Sequence, residues 1–138
     1  MKFLQLNFIP RSTDLGLLVL RLWLGLSMGV LHGLVKAQNF DSSLSQFKSV
    51  IGLGAKPELM LALFAELVCS VLLVLGLFTR VAAVFLIVTM AVAFFVAHGA
   101  VLSGAGSGEL AFIYLAGFVT LFFTGAGKFS VDSKLGGR

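Results

Sequence analysis

Charge is what this chain has least of. Ten Lys and Arg and six Asp and Glu are spread over 138 residues, so charged residues stand at 12%, where a soluble domain carries about 25%. Apolar residues make up 59% and mean hydropathy is +1.07, which excludes an ordinary water-soluble fold and leaves lipid as the solvent. A single cysteine, Cys69, excludes an intramolecular disulfide, a Cys-x-x-Cys redox pair and a multi-cysteine metal site. Its apolar surroundings suit a small packing residue better than a reactive thiol. The two prolines, Pro10 and Pro57, stand where helices start rather than inside apolar runs. Net charge is +4 and the pI near 9.7, yet the basic residues form no run. They read as topological signals and contacts to anionic lipid heads, with no nucleic-acid partner.

What is present is apolar sequence in four long segments. The first covers about residues 15–34, roughly 30 Å as a helix and so the thickness of a bilayer core. Pro10, Ser12 and Asp14 precede it as start signals, with Asp14 a candidate cap. Lys2 and Arg11 ahead of it resemble a signal-peptide opening, but the apolar stretch is too long for one and no small-x-small cleavage site follows, so it reads as a retained span. The second segment covers about 59–78 and is opened by Pro57 and Glu58; the third covers 81–98. Residues 99–108 form a glycine-rich connector, and the fourth segment covers 109–123, closed by Gly125 and Gly127. Between the first two, Phe40, Leu44, Phe47 and Ile51 recur at helical spacing. This stripe is too short and polar to span, so about residues 40–52 are expected to lie along the membrane surface or over the mouth of the bundle.

The expectation is an all-α, single-domain chain over 1–138: a four-transmembrane-helix bundle with an amphipathic helix between the first two spans. Lys2, Arg11, Arg80, Lys128, Lys134 and Arg138 fall on one side of it, against Lys36, Lys48 and Lys56 on the other. The positive-inside rule then places both termini in the cytoplasm and the amphipathic segment outside.

Six ionisable residues interrupt the apolar segments or edge them: Arg21, His32, Glu66, Arg80, His98 and Glu109. A charge at mid-membrane costs about 2.5–3.5 kcal/mol even on insertion scales, so each needs a partner, a cavity or a task. Arg80 falls at a turn, where it snorkels. His32, Glu66, His98 and Glu109, one per span, all fall toward the outer end by residue count. Arg21, about 9 Å in from the other end, reaches toward Glu66 as counter-charge. Gly25, Gly29 and Gly33 share a face of the first span at four-residue intervals, which lets a helix approach closely, either within the bundle or in a homodimer.

Three readings of this cluster stand side by side. Arg21–Glu66 and a His–Glu pair neutralise one another and fix helix packing, in a non-catalytic assembly or scaffold protein. Alternatively the group lines a pocket for a quinone-like ligand and exchanges protons with it. In the third reading His32 and His98 bind a metal or haem, with Glu66 or Glu109 completing a metal shell. Residues 104–108 are glycine-rich but lack the strand and lysine of a phosphate loop.

The order of motifs resembles the DoxX family of small four-helix membrane proteins. It includes the Arg21 span ending in His32-Gly33, then Glu66, Leu75-Gly76-Leu77-Phe78-Thr79-Arg80, His98-Gly99, Gly108-Glu109-Leu110 and the closing Gly125-Ala126-Gly127-Lys128-Phe129-Ser130-Val131-Asp132. The likeness covers roughly residues 13–133; Ala126 stands where the family often has proline. The resemblance implies a bacterial or archaeal inner-membrane protein linked to redox and sulfur metabolism. Some relatives act in thiosulfate:quinone oxidoreductases, and others accompany a superoxide dismutase and a thiosulfate sulfurtransferase. The expected function is therefore a membrane subunit of a redox system that binds quinone or a soluble or membrane partner enzyme at the polar cluster. The chain carries no evident redox centre, so electrons would come from that partner or a bound cofactor.

Overall fold

In the computed structural model the described residues are Leu4, Leu6 and 10–136, and among them every regular element is a helix. Six helices follow in order: α1 (Thr13–Gln38), α2 (Phe40–Gln46), α3 (Ala55–Leu75), α4 (Thr79–Ala97), α5 (Glu109–Thr124) and α6 (Val131–Lys134). α1, α3 and α4 are long and apolar enough to cross a membrane; α5, with 16 residues, is shorter, about 24 Å. The chain is a membrane protein whose four long helices alternate in direction. The starts of α1 and α4 and the ends of α3 and α5 meet at one end, called here the clasp end; the opposite end carries α2 and the glycine-rich connector. Lys2 and Arg138, counted above among the charges of the terminal side, lie outside the described residues.

Local chemistry sets the helix limits. Ser12, in extended conformation, caps α1 by accepting from the Leu15 amide at 3.2 Å. Asp14 is therefore not the cap: it sits in the first turn and accepts from the Lys128 amide at 3.0 Å. α1 runs to Gln38, four residues past the expected limit. α3 starts at Ala55 and stops at Leu75, short of the expected 78, because Gly76 turns left-handed (φ 67°). The Leu77 amide then returns to the Leu72 carbonyl at 2.9 Å and Gly76 to Leu73 at 3.1 Å, the Schellman pattern. The amphipathic segment is helical only to Gln46. Beyond it the chain is irregular, because the Glu58 carboxylate gathers the amides of Val50 (2.7 Å), Leu53 (2.9 Å) and Ile51 (3.3 Å) and the Ser49 hydroxyl (2.5 Å). A buried side-chain acceptor outcompetes the helix for those amides.

Between the ends lies an apolar core of Leu24, Met28, Leu73, Leu86, Phe118 and Leu121. The outward side chains are apolar too: Trp23 is 74% and Phe123 72% exposed, as hydrocarbon-facing surfaces require. Gly25, Gly29 and Gly33 face α3. A Cβ at Gly33 would stand 2.9 Å from the Glu66 backbone, and one at Gly25 would stand 3.1 Å from the Ser70 carbonyl. The absent side chains are what let the two backbones touch. Each of α1, α3 and α4 also contains a π-helical stretch, over Met28–Leu34, Phe64–Cys69 and Val92–Ala97.

At the clasp end the chain after α5 folds back as a strap over the bundle. Arg21, 1% exposed, donates to the carbonyls of Ala126 (3.3 Å) and Phe129 (2.6 Å). Asp132 caps α4 from far along the chain, accepting from Phe78 (2.7 Å) and Thr79 (2.9 Å), while its own amide donates to Gly76 at 2.8 Å. The expected Arg21–Glu66 ion pair does not form. Backbone carbonyls of the strap stand nearer the guanidinium, and Glu66 has another cation.

Three substitutions test this arrangement. Gly33→Leu forces the α1–α3 contact apart and should destabilise the protein by about 1–3 kcal/mol, read as a lower unfolding temperature in detergent. Gly16→Ala, with open space at its Cβ, should leave that temperature unchanged or slightly higher. Asp132→Ala should remove about 0.5–2 kcal/mol, as loss of a helix cap does, measured in the same way.

Candidate functional site

The other end of the bundle holds its ion pair. Lys36, on the last turn of α1, meets Glu66 of α3 with Nζ 2.5 Å from Oε1 and 2.7 Å from Oε2. Glu66 is almost fully buried and Lys36 one-third exposed (side chains 4% and 33%). The pair follows from the fold. α1 continues past Leu34 and so carries Lys36 one turn beyond Gly33, and Gly33 rests against the Glu66 backbone. His32, four residues before Lys36 and on the same face, is half-buried. Its ring meets Tyr114 of α5 edge-on, with centroids 5.6 Å apart and planes at 88°. Tyr114 in turn stacks on Phe118 at 5.8 Å.

Beside the pair opens a groove of about 590 Å³ between α3, α4 and the irregular segment after α2. Lys36, Glu66, Lys48 and Glu58 supply its charged lining; Val88, Val92 and Val96 of α4 supply part of its apolar wall. Glu58, buried under its four hydrogen bonds, fixes the segment that forms one side. The site is thus an apolar trough with a paired cation and carboxylate at one place in its wall.

Three of the expected residues fall outside this arrangement. His98 is exposed beyond the end of α4, and its Nδ1 bonds the Gly106 carbonyl at 2.8 Å, so it pins the glycine-rich connector. Glu109 is exposed in the first turn of α5. Arg21 belongs to the clasp at the far end. Of the expected set, only Glu66 lines the groove, with His32 four residues before its partner Lys36; His98 and Glu109 are at the same end of the bundle but outside the groove. The metal set His32, His98, Glu66 and Glu109 does not assemble: among the described residues no group of three or more His, Cys, Asp or Glu is placed to hold a metal ion. Arg80 is exposed, as expected, with Nη2 donating to the Phe123 carbonyl at 3.3 Å. Lys36 was missed because a bilayer-length count ended the span at residue 34. Its spacing of four from His32 was the available signal. Tyr114 carried none beyond being the chain's one tyrosine.

A family model described as DoxX matches residues 16–99, which takes in Arg21, His32, Lys36, Glu58 and Glu66. The chain belongs to the DoxX family. It is also similar to an uncharacterized protein of Haemophilus influenzae, 40% identical over 112 residues that cover 78% of this chain and 81% of that protein. No solved structure matches. Within this DoxX chain the family match spans α1 to α4, both sides of the ion pair and the apolar wall of the groove; Tyr114 and the strap lie beyond it.

The energetic standing of the pair can be measured directly. Lys36→Met leaves a buried carboxylate without its cation and should destabilise the protein by about 2 kcal/mol, less than the 3–5 kcal/mol of a fully buried pair because Lys36 keeps solvent contact. Pairing it with Glu66→Gln should recover most of that loss. Additive destabilisation in the double-mutant cycle would show that the two side chains do not interact.

Proposed function

We propose that this DoxX-family chain is the membrane subunit of a redox system and that its groove receives a quinone-like molecule. The observation that carries the reading is the Lys36–Glu66 pair set in the wall of an apolar groove of about 590 Å³; small-molecule sites typically fall between about 300 and 1,000 Å³. An apolar ring and tail would lie along Val88, Val92 and Val96, with a carbonyl oxygen at Lys36 Nζ. A quinone takes up two protons with its two electrons. Lys36 and Glu66 are a donor and an acceptor already in contact, so the pair can pass a proton to the reduced oxygen and be recharged from solvent through the exposed side of Lys36. His32 stands next along the same face as a further proton-exchanging group. The electrons would come from a partner subunit.

In this reading the chain spans the membrane four times with both termini in the cytoplasm. The clasp end, with Arg11, Arg80, Lys128 and Lys134, faces inward, and the groove end, with Lys36, Lys48 and Lys56, faces outward. A second reading, a scaffold with no ligand, is favoured by one observation: the ion pair satisfies itself and leaves neither charge open.

Lipid extraction of the protein purified in mild detergent, followed by mass spectrometry, separates the two. The expected result is co-purified quinone and a rise in unfolding temperature on adding more. Glu66→Gln should fold and lose that rise. Absence of co-purified quinone together with no thermal response to added quinone favours the scaffold.

A further inference from the structure

The clasp end has a cleft of its own, about 670 Å³, where the start of α4 faces the end of α5 and the strap. We propose that it binds the phosphate of an anionic phospholipid headgroup, independently of whatever the groove at the other end does.

The donors left over at this place point to an anion. Four amides open α4 without an intrahelical acceptor. Asp132 takes those of Phe78 and Thr79, and helical bonding resumes with the Ala82 amide on the Phe78 carbonyl. The amides of Arg80 and Val81, both lining the cleft, remain, at the positive end of the helix dipole. Thr79 lines the cleft as well. It is 1% exposed, and its hydroxyl has no hydrogen-bond partner, an arrangement that is unfavourable unless a ligand or water completes it. Arg80 adds a guanidinium that uses only one long bond, to the Phe123 carbonyl at 3.3 Å, and Lys128 adds a largely exposed ammonium 3.7 Å from Asp14. The two carboxylates in the lining are already engaged: Asp132 by the α4 amides and Asp14 by the Lys128 backbone at 3.0 Å.

The rim decides in favour of a lipid over a free anion. Phe78 and Val81 line the cleft and are 61% and 57% exposed, and Phe123, 72% exposed, immediately precedes its wall at Thr124. A polar pocket edged by outward-facing apolar side chains at the end of spanning helices matches an amphiphile, with its phosphate held between helices and its acyl chains against the bundle.

Native mass spectrometry of the full chain in non-ionic detergent tests this with phosphatidylglycerol, phosphatidylcholine and inorganic phosphate as separate probes. One phosphatidylglycerol should stay bound per chain and phosphatidylcholine should not. Arg80→Gln should weaken retention about fivefold, the effect of one basic residue near a lipid surface. Thr79→Val should weaken it roughly two- to tenfold, the effect of one hydrogen bond, without lowering the unfolding temperature, since that hydroxyl has no protein partner to lose. Equal retention of phosphatidylglycerol by wild type and both variants overturns the site. So does equal retention of phosphatidylcholine. Thermal protection by inorganic phosphate matching that by phosphatidylglycerol overturns the lipid as its source and leaves a free-anion site.

Discussion

Gly25, Gly29 and Gly33 leave no side chain between α1 and α3, and along that line the two backbones come together. What happens at each end of the bundle follows from this contact. At one end it brings Lys36 over Glu66. At the other it lays Arg21 against Gly76, where a side chain would overlap the guanidinium, so that the arginine can reach past the turn to the strap. A bulkier residue on the seam would separate both charged groups from their partners at once. Packing in lipid has little hydrophobic drive of its own, and here close backbone contact and polar anchors reinforce each other.

Two of the buried charges, Glu66 and Arg21, are satisfied by different chemistry. Glu66 meets a full opposite charge on a side chain that still touches solvent. Arg21 hydrogen-bonds only to backbone carbonyls of the strap, with the Asp132 carboxylate as its nearby opposite charge, and its Nε has no partner. The end with the ion pair is also the end with the groove, and the end with Arg21 is tied down by Asp14 and Asp132.

The long apolar helices were legible in the sequence because an apolar run of bilayer length means little else. The glycine line on α1 was legible as a close-packing face. Partner choice was not. Depth along a helix can be counted, but rotation about it cannot be read from so uniformly apolar a surface. His98 and Glu109, grouped with Glu66 by residue count, stand beyond the end of α4 and in the first turn of α5, turned to the connector and exposed, while Glu66 sits near the middle of α3. The Arg21–Glu66 pairing failed on a related point: charge and depth suggested it, whereas the carbonyls that take the guanidinium belong to Ala126 and Phe129, ordinary residues whose backbone carries the chemistry. Glu58 and Asp132 act in the same way on amides. A carboxylate that binds backbone leaves no signature at the position it binds.

The clasp also sets an order of assembly. Arg21 finds its acceptors 105 and 108 residues later in the chain, and Asp14 finds the Lys128 amide 114 residues later. During synthesis α1 must therefore wait in the bilayer without these acceptors until the strap has emerged. Such distant closures are slow to form, and they make the last step of folding the one that seals the first helix. A chain stopped before the strap would retain its spans and lose the acceptors of its most deeply buried charge, a natural mark by which unfinished copies differ from finished ones.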